Sequence, residues 1–135
     1  MLNKINHIGI AVTSIDESLP FYRDNLGMVC VGIEEVAEQK VKVAMLQVGE
    51  SKIELLEPTA PDSPVAKFLE KNGPGIHHLA YQVEGLEERL AALKGQGVRL
   101  IDETPRTGAH HTRIAFLHPK ASGGVLTELC EPGNH

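Results

Sequence analysis

Four side chains stand out for the chemistry they could do: His7, Glu54, His78 and Glu128. Each lies inside a short apolar run, where an imidazole or a carboxylate needs a partner to offset the loss of water. The runs form two matching pairs. "NHIGIAV" around His7 matches "HHLAYQV" around His78, and "KIELLEP" around Glu54 matches "LTELCEP" around Glu128. A single strand histidine is more often structural than a ligand, and a single strand glutamate is often just solvated. Repetition shifts that balance, because chance would have to place both residue types at corresponding positions twice. Two imidazoles and two carboxylates suit a divalent ion of intermediate hardness, such as Co, Ni, Mn, Zn or Fe. Four protein ligands on an octahedral ion leave positions open, which is the arrangement of a catalytic centre rather than a closed structural one.

The elements that must carry these residues repeat as well. His7 and His78 are offset by 78 − 7 = 71, and Glu54 and Glu128 by 128 − 54 = 74, so a loop insertion of three residues reconciles the two. Between them, Ile15, Leu19 and Tyr22 have the i, i+4, i+7 spacing of a helix face, and Leu86, Leu90 and Leu93 repeat it at the offset of 71. Each half reads strand, helix, strands. The first half is expected to have a strand over 5–12 and a helix over 15–26, with Ser14 and Glu17 as a capping box and Gly27 as the stop. Pro20 fits that helix only in its first turn. "MVCVGIEEV", "KVKVAMLQV" and "SKIELLE" follow as extended segments. The second half is expected to have strands over 77–83, 98–102, 112–117 and 125–130 and a helix over 86–94. Between the halves, Ser63 and Pro64 suit the cap and first position of a short helix through Lys71. Strand alternation puts His7, Gly9 and Ala11 on one face, as it does His78, Ala80 and Gln82. Glu54 shares a face with Leu56, and Glu128 with Cys130.

Other chemically able residues fit the pattern less well. Cys130 lies about 6–7 Å along the strand from Glu128, so it reads as a buried core thiol rather than a ligand. His77 faces away from His78 and reads as a packing or surface residue. His110 and His111 follow Gly108 in a loop and match no ligand position, although His110 could approach a substrate. His118 and Pro119 read as a turn, and "EGLEERL" as a solvated helix face.

At 135 residues and 41% hydrophobic, the chain can bury a core, while either half alone would be marginal. The net charge of −5 and the lack of any long basic run argue against nucleic acid or an anionic membrane as partner. An anionic substrate would need local basic residues. The two cysteines, Cys30 and Cys130, form no C-x-x-C pair and suggest no disulfide framework. "MLNKINHIGIAV" is too quickly polar for a signal peptide, and no apolar run approaches the ~20 residues that span a bilayer. A cytoplasmic protein is expected.

Nearly the whole chain resembles the vicinal oxygen chelate superfamily, and within it the methylmalonyl-CoA epimerase family. The paired starts "HIGIAV" and "HHLAYQV" and the paired ends "IELLEP" and "TELCEP" carry the superfamily likeness. "DSPVAKFL", "GIHHLAYQV" and above all "FLHPKASGGVLTEL" carry the epimerase likeness. Glyoxalase I relatives usually have an Asp-Pro-Asp-Gly type turn where this chain has His118-Pro119-Lys120.

The resemblance implies an α+β fold in which two tandem βαβββ modules form a curled mixed β-sheet around a metal site. It implies one domain over 1–135, with repeats at about 1–58 and 75–135 joined by a 59–74 linker that holds the short helix. His7, Glu54, His78 and Glu128 correspond to the metal ligands, with Co, Mn, Ni or Zn as candidate ions. The implied activity interconverts (R)- and (S)-methylmalonyl-CoA by removing the C2 proton to give an enolate, which is then reprotonated on its other face. The implied partner is an acyl-CoA, and a homodimer is expected. One departure matters. Some epimerases carry a separate glutamate base at the position of Val43, so Glu54 and Glu128 are expected to serve as acid/base groups as well as ligands, with His110 in reserve. Lys120 and Arg113 are the basic residues near the most specific motif. Alternatives within the same fold are glyoxalase I, a fosfomycin-resistance transferase, or a drug-binding protein that is not an enzyme.

Overall fold

The computed structural model of the chain describes residues 2–133. In order, β1 (Leu2–Ala11) is followed by α1 (Ile15–Leu19), β2 (Val29–Val36), β3 (Val41–Val48), β4 (Ser51–Pro58) and α2 (Pro64–Asn72). Then come β5 (Gly75–Val83), α3 (Leu86–Gly95), β6 (Arg106–Thr107), β7 (Thr112–Leu117), α4 (Pro119–Ser122) and β8 (Thr127–Pro132). The chain is therefore α+β and reads βαβββ twice, β1-α1-β2-β3-β4 and β5-α3-β6-β7-β8, with α2 between. The described residues form two compact units. One is His7–His77. The other holds the residues up to Asn6 and those from His78 onward.

In the His7–His77 unit the strands lie in the order β2-β3-β4-β1. β3 is antiparallel to both neighbours, and β1 is parallel to β4. Ile15 and Leu19 of α1 pack on Ala44, Leu46 and Leu55 and bury one face of this sheet. In the other unit the order is β5-β8-β7-β6, with β5 parallel to β8. There Leu86 and Leu90 of α3 pack on Val83, Ala115 and Leu129. Each such fully buried leucine is worth roughly 1.5–3 kcal/mol relative to exposure.

The duplication appears in the register. Gly9 lies opposite Glu54 in the first unit and Ala80 opposite Glu128 in the second. The offsets are 80 − 9 = 71 and 128 − 54 = 74, those of the sequence repeat. Each module thus presents its repeated glutamate at the same rung of a parallel pair.

Local capping follows expectation in several places. Ser14 Oγ accepts from the Glu17 N–H at 3.2 Å, and Ser63 Oγ accepts from the Val65 N–H at 3.2 Å, with Pro64 at the helix start. Pro20 is not in the first turn of the 15–26 helix. It stands where α1 passes into a π-helical turn over Pro20–Asn25. Proline has no N–H for the preceding turn, so the α pattern stops there and a wider turn takes over. Leu26 N–H then reaches the Phe21 carbonyl at 3.0 Å, and Gly27 at φ +79 ends the segment.

The strand expected over 98–102 does not form. Leu100 makes only an isolated bridge to Leu117. The backbone N–H groups of Ile101 and Asp102 both converge on the Phe116 carbonyl, at 2.9 and 3.1 Å. The Asp102 carboxylate accepts the Phe116 N–H at 2.9 Å, so a side chain replaces the ladder. The second strand of the module is the two-residue β6 instead. His118 and Pro119 do more than turn the chain: His118 Nδ1 accepts from the Lys120 N–H at 3.1 Å and caps α4.

Candidate metal centre

Each unit holds one imidazole beside one carboxylate. In the His7–His77 unit, His7 Nδ1 lies 3.4 Å from Glu54 Oε2. In the other, His78 Nε2 lies 3.2 Å from Glu128 Oε1. All four residues are buried, with 4, 8, 4 and 3% exposure for His7, Glu54, His78 and Glu128. Ionisable groups are rarely this buried unless paired or ligating. Their strands explain the placement. His7, Gly9 and Ala11 are the buried positions of the second half of β1, and His78 and Ala80 the corresponding ones of β5. The small residues beside each histidine keep the space next to it open.

The surrounding faces differ between the modules. In the first, Met45 lies opposite Glu54, and Val43 opposite Leu56. Directly opposed residues share a face, so Val43 and Met45 stand on the Glu54 side while Ala44 and Leu46 face α1. Val43 is 2% exposed. In the second module, Phe116 lies opposite Glu128 and Ile114 opposite Cys130. The Phe116 ring meets the His78 ring edge-on, with centroids 5.4 Å apart. Cys130 is buried against Ile114 and Phe116, as a core thiol.

Two features went unread in the sequence. Glu57 Oε1 accepts from the Ile15 N–H at 2.7 Å. Glu131 Oε2 accepts from the Gly85 N–H at 2.8 Å, with Leu86 N–H at 3.4 Å. These carboxylates point away from the faces that carry Glu54 and Glu128 and cap the N-termini of α1 and α3, where orphan N–H groups and the helix dipole favour an anion. β4 and β8 are tied in this way to the helices of their own modules. The second glutamate of "ELLEP" and "ELCEP", again at an offset of 131 − 57 = 74, was the available signal.

The remaining candidates fall elsewhere. His77 packs edge-on against Phe68 at 5.1 Å between centroids. His110 and His111 are exposed and sit in a short 3₁₀ turn with φ of 57 and 59. Arg113 is engaged by Glu87 at 2.6 Å and Glu131 at 3.3 Å. Lys120 is exposed on α4.

Residues 6–116 match the model of the Glyoxalase/Bleomycin resistance protein/Dioxygenase superfamily, and the chain belongs to that superfamily. The mitochondrial methylmalonyl-CoA epimerase of Homo sapiens is 38% identical over 129 residues, 95% of this chain and 73% of that protein. The ethylmalonyl-CoA/methylmalonyl-CoA epimerase of Cereibacter sphaeroides is 38% identical over 131 residues, 96% of this chain and 98% of that protein. A variant of the Streptomyces coelicolor methylmalonyl-CoA epimerase, solved in complex with 2-nitronate-propionyl-CoA, has a TM-score of 0.95 at 41% identity and covers 99% of this chain and 100% of that one. Within the superfamily, the chain is a member of the methylmalonyl-CoA epimerase family. Among the described residues, no helix is long and apolar enough to cross a membrane.

Proposed function

We propose that this protein is a metal-dependent epimerase that interconverts the two forms of methylmalonyl-CoA at C2. The observation that carries the reading is the pair of buried imidazole–carboxylate couples at one register position in both modules, in a chain of the epimerase family. Their donor set fits a divalent ion of intermediate hardness: two neutral nitrogens and two anionic oxygens, held within apolar surroundings that strengthen every electrostatic interaction. His7, Glu54, His78 and Glu128 are the proposed ligands. When bound, the ion supplies Lewis-acid stabilisation of the charge that develops on the thioester oxygen.

The protein's own residues then have to move protons. Removing the C2 proton leaves a planar carbon, and inversion needs an acid on the face opposite the base. Val43 can serve neither role, and its buried aliphatic side chain keeps that part of the first module dry. Glu54 and Glu128, repeated in equivalent modules, supply the two carboxylates. Glu128 is assigned the proton at one face and Glu54 the proton at the other. The apolar neighbours Met45, Leu56, Ile114 and Phe116 limit water around the site, which strengthens the electrostatic interactions that stabilise the enolate.

The test is metal removal. Chelation is expected to abolish epimerisation, and added Co or Mn to restore it, with about one ion per chain by metal analysis. Full activity in rigorously metal-free protein would contradict the reading.

A further inference from the structure

Arg106 is the cation on the ligand face of the second module. Register fixes its side. Arg106 lies opposite Ile114, and Ile114 opposite Cys130, while Phe116 lies opposite Glu128 on the next row of the same face. Its guanidinium stands 5.6 Å from the centroid of Phe116, whose ring in turn meets His78. One aromatic ring therefore separates the guanidinium from the His78–Glu128 couple. The side chain is 33% exposed, so a ligand can reach it. Its Nε is buried and makes no hydrogen bond among the described residues. Asp102 Oδ2 lies 3.3 Å from that Nε, but this oxygen already accepts the Phe116 N–H. An arginine that only neutralised Asp102 would turn its fork onto the carboxylate. This one lies along the ring and leaves its terminal nitrogens for another acceptor.

We infer that Arg106 recognises the carboxylate of the substrate's acyl group and so selects it against acyl-CoA thioesters that lack one. The inference rests on the epimerase reading above and names the residue that sets its acyl specificity. A planar guanidinium matches a carboxylate in shape and charge, and contact with an aromatic ring lowers its hydration. A carboxylate also has two oxygens, so it can meet a guanidinium with one and keep the other for a second partner. Proximity decides between the substrate's anionic groups. The acyl carboxylate is bonded to C2, where Glu128 must act. The CoA phosphates lie at the far end of the pantetheine arm. In a chain of net charge −5, a cation on this face also offsets the repulsion that an anionic acyl group would meet.

The experiment is calorimetric titration of the metal-loaded full-length protein, and of its Arg106→Gln and Arg106→Lys variants, with methylmalonyl-CoA and with propionyl-CoA. Metal content and melting temperature serve as folding controls. Arg106→Gln is expected to weaken methylmalonyl-CoA by about tenfold or more while changing propionyl-CoA less than about twofold, and Arg106→Lys is expected to recover part of the loss. Equal weakening of both thioesters would assign the arginine to the CoA phosphates or to folding and overturn the inference. Unchanged binding of both would reduce it to a cover for Phe116. Wild-type protein that binds neither thioester would overturn the epimerase reading as well, which separates that failure from a failure confined to Arg106.

Discussion

Replacing both His7 and His78 by alanine is expected to strip the protein of its divalent ion. Half of the proposed donor set would go, one imidazole from each module, and the remaining Glu54 and Glu128 would keep only carboxylate oxygens. A complete four-ligand site is worth on the order of 10–16 kcal/mol for zinc in small peptides, so losing two ligands should remove several kcal/mol. That corresponds to a fall in affinity of more than about 10³-fold. Metal analysis after equilibration with one equivalent of Co or Zn reads this directly, with circular dichroism to confirm the fold. Unchanged metal content in the folded double variant would show that the two imidazoles are structural.

Glu128→Gln is expected to have the largest catalytic effect of any single conservative change. The amide keeps the shape and an oxygen donor but cannot take a proton. Loss of a positioned general base typically costs about 10²–10⁴-fold. The loss should be one-sided: exchange of the C2 hydrogen with deuterated water should fall far more from one epimer than from the other. Glu54→Gln should show the opposite preference. A carboxylate that faces a cation is a weaker base than a free one, because the cation favours its anionic form. The same field acidifies the substrate's C2–H, which offsets the lost basicity. Metal-replete variants that exchange both epimers at the wild-type rate would rule out both glutamates and return attention to His110.

Much of this was legible in the residues. The offsets of 71 and 74 predicted a duplicated module, and the same offsets recur in the strand register, because the apolar periodicities that define a strand and its helix leave few ways to pair them. Caps at Ser14 and Ser63 were readable because capping depends on local sequence alone. The misses are non-local. Val98 to Asp102 has the composition of a strand, yet the Asp102 side chain takes the partner's N–H group from across the module. The capping roles of Glu57 and Glu131 are non-local, because the helix ends they cap lie 42 and 46 residues away in the chain. In the sequence Arg113 and Lys120 lie nearer the family motif than Arg106 does. Only the register of β6 puts it on the Glu128 face, while Arg113 turns to Glu87 and Glu131.

The most direct measurement uses the wild-type protein, loaded with Co, and each epimer of methylmalonyl-CoA separately in deuterated water. Epimerisation through proton removal at C2 predicts that both starting epimers approach the same mixture and that the converted product carries one deuterium at C2. Chelation should stop both changes together. If neither epimer converts or exchanges, and the same preparation isomerises the hemithioacetal of methylglyoxal and glutathione, the site belongs to glyoxalase chemistry instead.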